Sequence, residues 1–194
     1  MNDHLSLREP TALAALLADT CAAGFTMASE PLTGSLLRTL AASKPGGRLL
    51  EIGTGTGLST AWLLDGMDAH ATLTTVDNDQ AVLAIAQRHL GHDPRLSVVC
   101  ADGDAWLDTL PPGSFDLVFA DSWPGKYRRL HETLALLLPG GVYVVDDMRP
   151  QPNWPEGHDL KAQALLRTLT TLPGFHTTVL SWATGIVLSV RCAA

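Results

Sequence analysis

The sequence is short of cysteine, of basic runs and of long apolar stretches, and each absence argues against a class of protein. Its three cysteines, Cys21, Cys100 and Cys192, lie far apart and form no C-x-x-C pair, which argues against a disulfide framework and a cysteine zinc site. No segment approaches the roughly 20 apolar residues that a membrane-spanning helix needs. We therefore expect a cytoplasmic protein with no membrane partner.

Basic residues are also scarce and scattered. The 194 residues include 13 Lys and Arg against 20 Asp and Glu, a formal net charge of −7. No basic run is longer than Arg128-Arg129, so the chain lacks the positive patch that binds nucleic acid or anionic membranes. We expect no nucleic-acid partner, because a small neutral or cationic ligand suits this charge better than a polyanion.

Short β-rich runs alternate with helical patterns, which is typical of an α/β protein with a parallel sheet and crossover helices. We predict helices at about 9–24, 31–43, 58–66, 79–91, 103–109, 126–138 and 158–172, and strands at 48–52, 72–76, 95–100, 115–120 and 142–145. Two further β-like runs, 175–182 and 186–191, are close enough for an antiparallel hairpin, which makes the sheet mixed. We expect one domain over residues 1–194, with 1–44 as an N-terminal helical cap.

A glycine-rich segment, Glu51-Ile-Gly-Thr-Gly-Thr-Gly57, joins the first predicted strand to a helix. Backbone N–H groups and a helix N-terminus face a ligand in such a turn, beyond the carboxyl ends of the strands. The spacing is G-x-G-x-G, whereas the dinucleotide fingerprint G-x-G-x-x-G requires its third glycine at the position of Leu58. The mismatch counts against a nicotinamide cofactor.

Three carboxylates around this segment restrict the ligand further. Asp77 ends the second strand, 20 residues beyond Gly57, where a carboxylate can accept from both hydroxyls of an adenosine ribose. Asp102 follows the third strand, where it can accept from the adenine amino group. Glu51 would repel a pyrophosphate but attracts an ammonium or sulfonium group, directly or through water. The sequence therefore predicts an adenosine with a cationic, phosphate-free tail.

A second group of acids ends the neighbouring strands. Asp121 follows the fourth strand, and Asp146 and Asp147 follow the fifth, so all three belong to the same edge of the sheet. Their oxygens suit Mg²⁺ or Ca²⁺. The alternative is that these acids only end strands in solvent, since one member of a consecutive pair points away.

These motifs resemble class I S-adenosylmethionine-dependent methyltransferases, and within them the catechol and caffeoyl-CoA O-methyltransferase group is most similar. The resemblance rests on Leu49-Leu-Glu-Ile-Gly-Thr-Gly-Thr-Gly-Leu-Ser59, Thr75-Val-Asp-Asn78, Phe115-Asp-Leu-Val-Phe-Ala-Asp121 and Pro139-Gly-Gly-Val-Tyr-Val-Val-Asp-Asp147. It implies a Rossmann-like seven-stranded mixed sheet with helices on both faces and a C-terminal antiparallel hairpin. It also implies contacts with S-adenosylmethionine at Glu51, Gly53, Thr54, Gly55, Ser59, Asp77, Asn78, Asp102, Gly103, Asp121 and Trp123.

The resemblance further implies the transfer of a methyl group to a hydroxyl oxygen of a small molecule. In the catechol group, the positions that match Asp121, Asp146 and Asp147 bind a magnesium ion that holds two adjacent substrate oxygens. This chain departs from that group twice, because the third ligand is usually Asn and because Pro124 stands where the catalytic lysine is expected. Lys126 lies two positions further on, and we take Asp121 and Lys126 as candidate catalytic residues. If no lysine reaches the substrate, the proton could leave through Asp121, His158 or bulk water.

Three alternatives remain open from the sequence. The acceptor atom could be nitrogen or carbon, with no metal required, or the chain could be a non-catalytic S-adenosylmethionine-binding domain. A nicotinamide dehydrogenase is opposed by the glycine spacing, by Glu51 and by the terminal hairpin. Related enzymes often pair through N-terminal helices, so the apolar segment 11–25 could serve a homodimer.

Overall fold

The computed structural model describes residues 3–152 and 154–193. Its strands are Arg48–Ile52 (β1), Thr72–Asp77 (β2), Leu96–Cys100 (β3), Phe115–Ala120 (β4), Leu137–Val145 (β5), Phe175–Leu180 (β6) and Ile186–Arg191 (β7). Its helices are Leu13–Ala22 (α1), Pro31–Ala42 (α2), Leu58–Gly66 (α3), Gln80–Leu90 (α4), Gly103–Leu107 (α5), the kinked turn Trp123–Lys126 (α6), Leu130–Ala135 (α7) and His158–Thr170 (α8), after a 3-10 turn at Asp3–Ser6.

The seven strands form one mixed sheet in the order β3-β2-β1-β4-β5-β7-β6. The first five strands in this order are parallel, and β7 pairs antiparallel with both β5 and β6. The predicted terminal hairpin and mixed sheet are therefore confirmed. The chain order reverses between β1 and β4, and ligands bind at such a switch point in open α/β sheets.

Helices cover both faces of the sheet because the apolar side chains of the central strands alternate between two cores. Leu49 belongs to the core under α1, α2 and α3, whereas Leu50 belongs to the core on the opposite face, which includes α8 residues. Both leucines are fully buried. Central parallel strands are apolar on both faces for this reason, and the predicted helices on both faces are confirmed.

Local signals place the ends of α4 as predicted. Asp79 is its N-cap and accepts a hydrogen bond from the backbone N–H of Ala81 at 2.8 Å, while Gly91 ends the helix. An Asp at this position satisfies one of the free N–H groups of the first turn.

The helix predicted at about 126–138 is wrong. Pro124 and Gly125 have non-helical backbone angles and Arg129 has a φ of 54°, so the chain forms the turn α6 and the short helix α7, and β5 begins at Leu137. A tertiary contact holds the break, because Tyr143 on β5 donates from Oη to the Gly125 carbonyl at 2.5 Å. Helical periodicity carries no information about such a contact.

The helices of the predicted cap, α1 and α2, pack on α3 and α4. Asp19 on α1 contacts the α4 residues Arg88 and His89, each at 2.8 Å. Gly34 on α2 lies against the ring of Trp62, where a Cβ atom would approach to 2.3 Å. None of the helices within residues 3–152 and 154–193 has the length and apolar character of a membrane span.

Candidate functional site

Two adjoining cavities open at the carboxyl ends of the central parallel strands. The first, about 310 Å³, surrounds the turn after β1 and is called the glycine-loop cavity. The second, about 370 Å³, contains the acids that follow β4 and β5 and is called the acid cavity. Both are lined by Asp121, Ser122, Trp123 and the segment 27–29. Asp121, the residue directly after β4, therefore faces both cavities.

The glycine-loop cavity has a backbone floor. Gly53 has a φ of 102°, and a Cβ atom on it would lie 2.8 Å from the Asp121 carbonyl oxygen. Gly55 has a φ of 52°, and its Cβ would lie 3.1 Å from the ring of Phe25. Residues other than glycine rarely adopt such φ angles, and the absence of a side chain lets the backbone approach a ligand here. Asp77 fixes the turn by accepting from the Gly55 N–H at 2.9 Å.

Most of the predicted cofactor residues line this cavity. They are Gly53, Thr54, Gly55, Ser59, Asp77, Asn78, Asp121 and Trp123. Three lie outside its lining. Asp102 is exposed and caps α5 by accepting from Ala105 N–H at 3.0 Å, Gly103 packs against Pro124, and Glu51 lies beneath the turn. Contact between these residues and a cofactor stays a prediction.

Glu51 is fully buried, and its Oε2 accepts hydrogen bonds from Thr60 at 2.5 Å and Thr75 at 2.6 Å. Burial raises the pKa of this carboxyl to about 7, although hydroxyls of Ser59, Thr60 and Thr75 favour the charged form. Within the described part of the chain, no hydrogen bond of ordinary geometry reaches Oε1. The second oxygen of a buried acid is thus left for a donor or a cation that the protein itself does not supply.

The loop between α1 and α2 contributes to both cavities. Met27, Ala28 and Ser29 line each of them, and Ser29 donates from Oγ to Asp121 Oδ2 at 2.9 Å. The resemblance to the catechol group implies that Met27 lies near the methionine end of the cofactor, but nothing in the sequence assigns a role to Ala28 or Ser29. A loop without periodicity or a motif carries no signal of where it packs.

The acid cavity contains Asp121, Asp146 and Asp147, which we call the acid triad. Each acid accepts a hydrogen bond from a protein donor. Asp146 Oδ1 accepts from the backbone N–H of Asp147 at 2.6 Å and from the Thr184 hydroxyl, while Asp147 Oδ2 accepts from Trp154 Nε1 at 2.8 Å. Asp147 has a φ of 60°, which directs its side chain differently from that of Asp146. The structure thus brings the three predicted acids to one cavity.

Lys126 lies in the same cavity and is only 4% exposed. Its Nζ donates to the Asp146 carbonyl oxygen at 2.6 Å. Burial lowers the pKa of Lys126, and the negative charges of the acid triad oppose this shift. Burial also raises the pKa of Asp121, helped by the charge of Asp146 and opposed by Lys126. The pKa of Asp121 rises to about 7, so this carboxyl can exchange a proton near neutral pH.

Aromatic side chains form one wall of the acid cavity. The Tyr127 hydroxyl and His158 Nε2 are 3.0 Å apart, and the rings of Trp154 and His158 are 4.5 Å apart between centroids. Trp123 completes the wall, with its ring 5.8 Å from that of Tyr127. Sequence reasoning missed Tyr127 and assigned no role to Trp154, and it named His158 only as a possible route for the proton. Their loops and helix ends give no pattern from which the wall could be predicted.

The acid triad does not fit a metal ion as it is arranged. Across residues 3–152 and 154–193, no three or more His, Cys, Asp or Glu side chains are placed to ligate one. One oxygen of each acid is bonded to Ser29, Trp154 or Thr184, and the ammonium group of Lys126 lines the same cavity. Metal ligation by Asp121, Asp146 and Asp147 therefore remains a prediction from the resemblance that the geometry of the donors does not support.

Comparison with known proteins gives the following matches. Residues 50–148, just over half of the chain, match a family model described as "Methyltransferase domain". Relatives named "Putative O-methyltransferase" from Mycobacterium avium and Mycobacterium ulcerans are each 37% identical over 123 residues, which is 61% of this chain and 55% of the relative. The chain thus spans about half the length of the curated relatives it matches.

Solved structures share the fold over nearly the whole chain. The cofactor-bound Rv0187 from MTB is 27% identical, with a TM-score of 0.84 and coverage of 99% of this chain and 94% of that one. An O-methyltransferase from Bacillus cereus in complex with SAH is 20% identical, with a TM-score of 0.81 and coverage of 97% and 94%. At that lower identity the likeness concerns the fold alone.

Proposed function

The chain belongs to the methyltransferase domain family, and on that premise we propose that it transfers a methyl group from S-adenosylmethionine to a hydroxyl oxygen of a small molecule. The observation that carries the proposal is the meeting of two cavities at Asp121. One cavity has a backbone floor with a buried acid beneath it, which suits the methyl donor, and the other has acids, a lysine and aromatic rings that suit an acceptor. A reaction between two bound molecules requires such adjoining sites.

The residues of the glycine-loop cavity fit S-adenosylmethionine. A side chain at Gly53 or Gly55 would fill the space in which the donor would lie. Glu51 Oε1 is a buried oxygen without a partner among the described residues, and a cationic amino acid tail above it would compensate its charge. Asp77 would hold the ribose, with Trp123 against the adenine. When bound, the donor supplies a methyl group on a sulfonium centre, open to in-line attack by an oxygen.

The residues of the acid cavity would orient and deprotonate the acceptor. Asp121 Oδ2 is held by Ser29, and its carboxylate accepts the proton of the acceptor hydroxyl. Lys126 Nζ, anchored on the Asp146 carbonyl, stabilises the negative charge that develops on the acceptor oxygen. The raised pKa of Asp121 suits a group that must take up a proton near neutral pH.

The aromatic wall favours a small, flat acceptor. The acid cavity has about 370 Å³, within the range of small-molecule sites, and Trp123, Tyr127 and Trp154 line it. Aromatic rings pack well against a planar ligand. A phenol is therefore the first class of acceptor to test. A cytoplasmic location, a homodimer and the absence of nucleic-acid and membrane partners stay predictions from the sequence.

Calorimetry tests the donor half of the proposal. We expect the full chain to bind S-adenosylmethionine and its demethylated product, and not NAD. Asp77→Asn should weaken donor binding about tenfold or more, since a hydrogen bond to a charged group contributes about 1.5–3 kcal/mol. Asp159→Asn, which removes an exposed acid of α8 outside both cavities, is the matched control and should bind as the wild type does. Tight binding of NAD without any response to the methyl donor would refute the proposal.

A methyl-transfer assay tests the acceptor half. Matched phenols and anilines of the same ring are incubated with the protein and donor, and the methylated product is detected by mass. Methylated phenol is the expected product. Methylation of the anilines alone would show that the acceptor atom is nitrogen and not oxygen. Donor binding without transfer to any acceptor would favour a non-catalytic binding domain.

A further inference from the structure

We propose that Lys126 is the resident cation of the acid cavity, so that the acid triad needs no divalent metal ion for the proposed methyl transfer. The inference rests on the proposed function for the reaction that the cation serves. Whether a divalent ion can bind in the acid cavity, however, depends on the chain alone and is tested without any acceptor. Three structural observations carry it: the position of the ammonium group, the backbone that fixes it, and the hydrogen bonds that hold the carboxylates.

The ammonium group of Lys126 lies in the same cavity that the triad acids line. Its Nζ donates to the Asp146 carbonyl oxygen at 2.6 Å, and the side chain is buried rather than solvated. The negative charges of all three triad acids act on it. A lysine has three N–H donors and can therefore serve several oxygens at once. Buried charges need compensating charges, and the acids that line the same cavity supply them.

The backbone beneath Lys126 holds this position. Pro124 and Gly125 are non-helical, with a φ of 80° at Gly125, and this kink turns the lysine into the cavity. A Cβ on Gly125 would lie 2.5 Å from Ile52 Cδ1, so the turn is packed directly on β1. Tyr143, fully buried, donates to the Gly125 carbonyl. The lysine is thus presented by a rigid turn and not by an exposed helix.

One oxygen of each triad acid is held by a protein donor. Asp146 is held by Thr184, and Asp147 is held by Trp154 Nε1 at 2.8 Å. A divalent ion such as Mg²⁺ demands near-octahedral oxygen geometry, and with Lys126 in the cavity the described acids do not gather around one point. A second cation in the cavity would also be repelled by the ammonium at short range.

The same ammonium group can carry out the electrostatic task of a metal in the reaction. As the acceptor oxygen forms its bond to the methyl carbon, its proton passes to the Asp121 carboxylate and the donor leaves as a neutral thioether. Lys126 keeps its protons and stabilises the negative charge on the oxygen during this step. The atoms and charges balance without any further co-reactant.

The test measures manganese binding by electron paramagnetic resonance, which reads free Mn²⁺ directly and needs no methyl transfer. We compare the wild type with Lys126→Met and Lys126→Arg. Lys161→Met is the matched control, since Lys161 is exposed and lies over the Trp123 ring outside the acid triad. Thermal melting of each variant verifies folding, and Lys126→Gln replaces the methionine variant if that one does not fold.

We expect no saturable Mn²⁺ binding by the wild type, Lys126→Arg or Lys161→Met. Lys126→Met should bind Mn²⁺ at least about tenfold more tightly than the wild type, because an adjacent like charge has been removed. Saturable binding by the wild type, or equal binding by wild type and Lys126→Met, would overturn the proposal. Once an acceptor is known, transfer by the wild type should also be unchanged in excess EDTA, and its loss would overturn the proposal independently.

Discussion

The buried carboxyl of Glu51 should make the stability of the protein depend on pH between about 4.5 and 7. Its ordinary pKa of 4.5 is raised to about 7 in the folded protein, mainly by burial. A raised pKa means that the folded state holds the proton more tightly than the unfolded state. The stabilisation is therefore fully present below pH 4.5 and is lost as the pH rises through 7. Glu51→Gln removes this dependence, because the amide does not titrate.

The size of the effect follows from the shift. The difference between the two pKa values is about 2.5 units, and each unit corresponds to about 1.4 kcal/mol, so about 3 kcal/mol is at stake. The amide oxygen of the variant can still accept hydrogen bonds from Thr60 and Thr75. Burial of its amino group lowers the free energy of unfolding by an amount that is the same at every pH. The free energy of unfolding of the wild type, minus that of Glu51→Gln, should therefore fall by about 3 kcal/mol across this range.

Urea unfolding at a series of pH values from 4 to 8, without ligand, measures this difference. Glu156→Gln removes one exposed carboxylate and is the matched control for a general change of charge. With the methyl donor present, the dependence should shrink, because a cationic tail above Glu51 favours the ionised form. A difference that is flat with pH in the absence of ligand would show that burial does not control this carboxyl, and the electrostatic argument would be refuted.

Two further substitutions separate the cavities. Gly53→Ala should cost about 1–3 kcal/mol in the free energy of unfolding and weaken donor binding, because its Cβ would lie 2.8 Å from the Asp121 carbonyl at a φ of 102°. Gly140→Ala, with a φ of 78° but open space around it, should cost stability and leave the donor affinity unchanged in calorimetry. Trp154→Phe removes the hydrogen bond to Asp147 and should raise the KM for the acceptor about tenfold, with an unchanged donor Kd in the same titration. A weaker donor affinity in Trp154→Phe would contradict the division into two cavities.

The donor half of the site could be predicted from the sequence because its signals are local. The turn after β1 needs glycine where φ is positive, as at Gly53 and Gly55, and the residues at the strand ends follow the register of the sheet. Asp77 comes at the end of β2 and Asp79 caps α4, which places both carboxylates at one edge. Backbone requirements of this kind leave a pattern in consecutive residues, so one sequence is enough to find them.

The acceptor half could be predicted only in part, because long-range contacts shape it. The acids at the ends of β4 and β5 were located by the same strand logic, but their hydrogen bonds to Ser29, Trp154 and Thr184 join distant segments. The break of the predicted 126–138 helix depends likewise on packing against β1 and β5. These contacts join residues that are far apart in the sequence, so helical or strand periodicity does not reveal them.

The kink at Pro124 and Gly125 explains both the broken helix and the position of Lys126 in the acid cavity. At the position where the resembling group carries its lysine, this chain has a proline, whose ring excludes an interior helical position. The chain therefore leaves helical geometry, and the glycine with a φ of 80° turns it back so that Lys126 enters the cavity two residues later. Lys126 thus extends into the cavity from a backbone position two residues after that of the lysine in the resembling group, and it donates a hydrogen bond to the Asp146 carbonyl. A shifted lysine that is buried in the cavity of the acids is the physical reason that we propose for the family fold to persist while the requirement for a metal changes.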